Sequence, residues 1–269
     1  MKRNFRKRVV RESLNVGKQT KVSNLLVVAA IFVIVLAIGF LCIADNELEE
    51  QEVLVDQIIN EPVAENIENS VTSIDPAEKF NFSVTEIPTS ALIEMSFSPQ
   101  APYANWGQPW QDACEEASII MVKYYLDQKS LSNDIMNQEI LKMVPWQEEN
   151  FGGHLDLPSE KTLELAVKFY TLDGQIDNNL GVENIKKYIA NGVPVIIPVD
   201  GKKLNNPNYT NGGPDYHMLV IKGYTETEFI TNDPGTRKGE GYTYSFQTVI
   251  DSIKNPEGGE RTMLVLKKQ

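Results

Sequence analysis

The sequence predicts an α+β body behind a single membrane-spanning helix, and three observations predict it. Leu25 to Ala44 is an uncharged run of twenty residues, long enough to cross a bilayer core as a helix. Residues 114–190 carry apolar side chains at three- and four-residue spacing between helix start and stop signals, the helical period. Residues 194–266 carry short apolar and β-branched runs parted by Gly, Asn and Pro clusters, which read as strands. Helices first and strands second describe an α+β domain in two packed lobes, and a cleft between such lobes is a natural site.

In chain order, residues 1–24 form a basic segment. Of the chain's 25 Lys/Arg and 37 Asp/Glu, this segment holds eight and one, leaving 17 basic and 36 acidic side chains beyond it. Basic before and acidic after the apolar run places the N-terminus in the cytoplasm and the rest outside the cytoplasmic membrane. A cleaved signal peptide competes with an anchor, because Cys42-Ile43-Ala44 offers small residues, but the run is long for one. We therefore expect residues 25–44 to be an uncleaved signal anchor. Residues 45–92 follow as an acidic linker or stalk that repels itself and extends, with a small helical subdomain as the alternative. The body is expected over residues 93–269.

Within it, helices are predicted over 114–127, 133–143, 160–170 and 182–190, the last stopping at Asn191-Gly192. Strands are predicted over 194–199, 217–224, 228–231, 242–246 and 262–266, with a helix near 247–253 between the last two. The acidic balance of this body argues against nucleic acid as a partner. With only Cys42 and Cys114 in the chain, no disulfide framework or zinc cluster can be assembled, and no metal or organic cofactor is implied.

The chemistry centres on Asn105 to Ser118, NWGQPWQDACEEAS, an aromatic, turn-rich loop running into a helix with Cys114 at its entry. Asp112 reads as the N-cap and Glu115 three residues later completes a capping box. A thiol in the first helical turn feels the positive end of the macrodipole, which favours the thiolate. The bland reading of Cys114 is a small buried hydrophobe. Of the two histidines, His154 lies in a polar loop and reads as a surface residue. His217 opens a strand, and Asp233 ends the next one sixteen residues later. Antiparallel pairing through the short turn Thr225–Thr227 brings the two side by side. A satisfied core histidine and an Asp-Pro turn are the plain alternatives. An oxyanion site has the Cys114 backbone N–H at a helix start, and Gln100, Gln108 and Gln111 precede the cysteine as possible side-chain donors.

These residues resemble the bacteriocin-processing cysteine peptidases, family thirty-nine of the cysteine peptidases in the papain superfamily, and more their stand-alone relatives than transporter-fused domains. The resemblance covers Met95–Lys267. It rests on Ser98-Pro99-Gln100-Ala101-Pro102 with Trp106, Cys114 with Ala117-Ser118, Gly192 to Ile196, Tyr216-His217 through Tyr224, and Asn232-Asp233-Pro234-Gly235. It implies a papain-like fold, a helical lobe followed by an antiparallel β-sheet lobe. It also implies Cys114 as nucleophile, His217 as general base and acid, Asp233 as the residue orienting it, and Gln100 as oxyanion donor, with Gln108 second. The chain departs from most relatives in placing Glu115 and Glu116, not Gly and Pro, after the cysteine. Carboxylates there raise the thiol pKa, although the effect is slight if both point to solvent.

The expected function is a membrane-anchored, extracytoplasmic thiol hydrolase acting on peptide or small-protein substrates. A catalytically weak papain-like module that binds peptides or wall fragments is the alternative. A cell-wall amidase is a third reading, but Asp112-Ala113-Cys114 does not match the Asp-Cys-Ser usual there.

Overall fold

A computed structural model of the chain describes residues 79–269, which belong to the second of two compact units, Ile74–Gln269. The expected anchor at 25–44 and most of the expected linker lie outside the described residues. No described helix is long and apolar enough to cross a membrane.

The first element is a two-residue strand, β1 (Ala91–Leu92). Helices α1 (Cys114–Leu126), α2 (Asn133–Phe151) and α3 (Ser159–Tyr170) follow, then β2 (Leu172–Asp177), α4 (Val182–Ala190), β3 (Val195–Val199) and the short α5 (Gly201–Leu204). The chain ends with β4 (His217–Tyr224), β5 (Glu228–Asn232), β6 (Glu240–Ser245), α6 (Phe246–Ser252) and β7 (Met263–Lys268). The described strands form one antiparallel sheet in the order β2-β7-β3-β4-β5-β6, with β1 paired to β4. This is the expected α+β arrangement, built on one continuous hydrophobic core that joins helices and sheet.

Every residue from Cys114 to Val122 is buried, so α1 is a central helix with no solvent face along that stretch. A helix covered on every side lies inside a core, and α1 packs on β4, β7, α2 and α3. Strands β3 and β4 are buried at every position, the pattern of strands covered on both faces. Their register sets Val199 opposite His217, so β4 begins where the sheet emerges beside the start of α1. The Ser118 hydroxyl, on the first turns of α1, donates to Cys114 O at 2.8 Å and lies 3.4 Å from Met218 O.

Helix α2 runs to Phe151, past the stop expected at Met143. Pro145 lacks an N–H and crowds the preceding turn, but the buried series Met136, Ile140, Met143, Val144 and Gln147 continues through it. Trp146 also stacks edge-on against Phe151 and against Phe169 of α3. Tertiary packing outweighs the local penalty. Ser132 caps the helix start by accepting from Ile135 N–H, and Gly152 ends it at φ 79°. Strand β2, Leu-Asp-Gly-Gln-Ile-Asp, was not predicted because its pattern is polar and glycine-interrupted. Only glycine fits at its third position, where a Cβ on Gly174 would come 2.5 Å from Val265 O.

Residues 79–92 do not stand away from the body. Phe80 and Phe82 pack edge-on against Tyr188 of α4. Asn191 Oδ1 accepts from the N–H groups of Ser83 and Val84, and Tyr224 donates to Pro88 O. The end of the expected linker is thus fastened to the folded body.

Candidate active site

The site forms where the start of α1, the start of β4 and the turn after β5 come together. His217 is 2% exposed and Asp233 fully buried. Asp233 Oδ1 lies 2.8 Å from His217 Nε2. A carboxylate can only accept, so His217 Nε2 carries the donated proton and Nδ1 lies outside this bond.

Asp233 is unusually well supplied with donors. Gly235 N–H donates to Oδ1 at 3.0 Å. Tyr209 and Tyr244 donate to Oδ2 at 2.5 and 2.7 Å, and Asn206 Nδ2 lies 3.4 Å away. Burial opposes ionisation of Asp233, but His217 and these hydrogen bonds outweigh it and hold its carboxyl below the usual range. The Tyr209 ring stands edge-on to the imidazole, 5.7 Å between centroids. On the same ring, a Cβ at Gly235 would meet His217 Cε1 at 2.8 Å and Nε2 at 2.9 Å. The imidazole is therefore fixed by Asp233, Tyr209 and the bare backbone of Gly235. Sequence reasoning missed Tyr209, Tyr244, Asn206 and the role of Gly235. Tyr209, Tyr244 and Asn206 come from the turn-rich Asn206–Tyr209 stretch and from β6, and no spacing links them to Asp233, whereas Gly235 follows it by two residues and only its approach to the imidazole was hidden.

The cysteine side is the opposite. Cys114 is the first residue of α1, but its N-cap is Ala113, which caps nothing with a side chain. Asp112 ends a short 3-10 turn, Trp110–Asp112, and Glu115 turns inward, so the expected capping box does not form. Cys114 S–H donates to Glu115 Oε2 at 3.0 Å, and Leu157 N–H donates to Glu115 Oε1 at 2.7 Å. Glu116 is also buried; its Oε1 accepts from Gln147 Nε2, while Glu116 Oε2 and Gln147 Oε1 have no partner. Burial first, then Glu115, with Glu116 and Asp156 adding, pushes the Cys114 thiol well above its ordinary range. The expectation of a thiolate prepared by the macrodipole is thus corrected. A helix terminus contributes about 0.3–1 kcal/mol, less than one unit of pKa, and buried carboxyls outweigh it. Burial also raises Glu115 well above the usual carboxyl range and Glu116 to about 7.

Gln100 joins the two sides. Its backbone N–H donates to Pro234 O at 3.0 Å, next to Asp233. Its side-chain Nε2 donates to Trp110 O at 3.0 Å and Gln111 O at 2.9 Å, on the turn before Cys114. Both amide protons are therefore engaged, and Gln100 fastens the approach to the cysteine instead of offering a free donor. Gln108 is exposed; it donates to Asp112 Oδ2, and its Oε1 lies 3.3 Å from His154 Nε2. Gln111 is exposed as well. Asp156 also disfavours the Cys114 thiolate, and burial first and then Asp112 raise its own carboxyl against the opposing pull of His217 and Lys254. No group of metal-ligating side chains occurs among the described residues.

The family model of the peptidase C39-like family matches residues 94–255. No curated protein matches. Among solved structures, the chain is similar to a C39-like peptidase from Bacillus anthracis, with 15% identity over 68% of this chain and 99% of that one, at a TM-score of 0.46.

Proposed function

The chain belongs to the peptidase C39-like family and is a cysteine peptidase, and from that premise we propose that it is a membrane-anchored hydrolase cutting peptides outside the cytoplasmic membrane. Cys114 is the nucleophile, His217 the general base and acid, and Asp233 the residue that orients the imidazole. The observation that carries this reading is the buried His217–Asp233 pair, joined at 2.8 Å through His217 Nε2. In this account Nδ1 takes the Cys114 proton as sulfur attacks the scissile carbonyl. The same proton passes to the leaving amine, leaving a thioester. Water, giving a proton to His217, then hydrolyses the thioester and restores the thiol.

The developing oxyanion meets the Cys114 backbone N–H at the head of α1. For the second donor the choice between Gln100 and Gln108 turns toward Gln108. Its amide is exposed and can exchange Asp112 for substrate, whereas Gln100 would have to abandon two backbone carbonyls. The anchor at 25–44, the linker after it and the extracytoplasmic placement rest on the apolar run and the flanking charge.

The test is to incubate the full-length chain with a complex peptide library and search for cleavage and for an acyl adduct on the Cys114 peptide by mass spectrometry. The account predicts both in the wild type and neither in Cys114→Ser. Peptide retention without cleavage or adduct would favour the binding-module alternative.

A further inference from the structure

The catalytic scheme above leaves one buried group at the nucleophile without a role. Glu115 is 1% exposed, one of its oxygens touches the Cys114 sulfur, and the other is held by Leu157 N–H. No Lys or Arg forms an ion pair with it among the described residues. The groups that act on it are Cys114 and Glu116 on its own helix, Leu157 in the loop before α3 and Tyr216 just before β4, while Asp156 acts on the neighbouring Cys114. Glu116 is in turn faced by Gln147 of α2 and by Asp112, and Lys254 acts on Asp156. The histidine of the site, His217, is already engaged by Asp233. A buried carboxylate with no cation is costly, and such a group keeps its proton instead.

Once Glu115 carries a proton, the hydrogen bonds must be read again. Leu157 N–H can only donate, so Glu115 Oε1 is the carbonyl oxygen and Oε2 bears the hydroxyl. That hydroxyl points at Cys114 Sγ, 3.0 Å away. We propose that Glu115 is a further catalytic residue, a carboxylic acid whose O–H donates to the Cys114 sulfur and stabilises the thiolate as His217 removes the thiol proton. The inference rests on the assignment of Cys114 and His217 proposed above. The proton balance is simple: the thiol proton goes to His217 Nδ1, and Glu115 keeps its own proton throughout. Ionised Glu115 does the reverse, since a carboxylate beside the sulfur repels the thiolate. Reactivity of Cys114 is therefore highest while Glu115 is protonated and falls as rising pH strips it.

The test is the rate of iodoacetamide alkylation at the Cys114 peptide, followed from acid to alkaline pH in the full-length chain. Wild type, Glu115→Gln, Glu115→Ala and His217→Ala are compared. Glutamine can accept from Leu157 N–H and donate to sulfur at every pH. At the alkaline end of the profile Glu115→Gln should therefore raise the rate by about tenfold or more over wild type and remove the fall with pH. Glu115→Ala should lose reactivity in the acidic range. Wild-type and Glu115→Gln profiles that superimpose, while both still respond to His217→Ala, would overturn the role of Glu115 alone. If no variant responds to His217→Ala, the assignment of the catalytic pair fails instead. A measurement on the unaltered protein guards against misfolded variants: carbon-13 NMR of labelled glutamate carboxyls. The proposal predicts a Glu115 carbon still in its acid form at about pH 6, and titration with the exposed glutamates near about pH 4.3 would contradict it.

Discussion

The two sides of the site are electrostatic opposites built within a few residues of each other. Around Asp233, a buried negative charge is met by an imidazole, two phenols, a backbone N–H and a nearby amide, and its carboxyl is held below the usual range. Around Cys114, two buried carboxyls face a thiol with no cation, both are raised, and two polar atoms of the Glu116–Gln147 contact stay unpaired. Both sides are equally buried; what differs is the supply of donors. Burial costs little where every lone pair is met, and it forces protonation where it is not.

The largest effect should come from breaking the satisfied side. Asp233→Ala leaves the Tyr209 and Tyr244 hydroxyls without their acceptor and removes the partner of His217. We expect a loss of about 3–5 kcal/mol in denaturant unfolding, together with loss of Cys114 reactivity. Gly235→Ala separates activity from stability on that same side. Its Cβ must displace the imidazole, so about a hundredfold loss in turnover is expected from misplacement, with a much smaller change in melting temperature.

The unsatisfied side should respond in the other direction. The folded pKa of Glu116, about 7, lies above the ordinary carboxyl value. Its contribution to stability is therefore full in acid and is lost as pH rises from about 4.3, the unfolded value, through 7. Glu116→Gln keeps the shape, pairs with Gln147 and cannot ionise. It should be neutral near about pH 5 and stabilising by up to about 3 kcal/mol near about pH 8. Asp233 runs oppositely: its contribution is present above the unfolded value and is lost as pH falls. Thermal unfolding of wild type and Glu116→Gln across pH reads both limbs. The smallest effect sharpens the contrast: Tyr209→Phe removes one of several donors to Asp233 and should cost about 1 kcal/mol.

The same contrast explains what the sequence made legible. His217 and Asp233 were readable because strand pairing through a short turn carries position from one residue to another. Strand and helix spans over 114–127, 182–190 and 217–224 followed from their apolar periods. The inward turn of Glu115 and Glu116 was not readable, since acidic residues in a first turn ordinarily cap or face water. Only the burial of α1 on all sides reverses that. Tyr209 and Tyr244 reach Asp233 through tertiary approach, which leaves no spacing in the chain, and β2 hides behind a polar pattern that pairing with β7 overrides.

The most direct test of the central claim is the second-order rate of iodoacetamide with Cys114 at about pH 6, wild type against His217→Ala. The account predicts a reactive sulfur in wild type and a drop of at least about tenfold in the variant. Equal rates in the two, both those of an ordinary buried thiol, would contradict it.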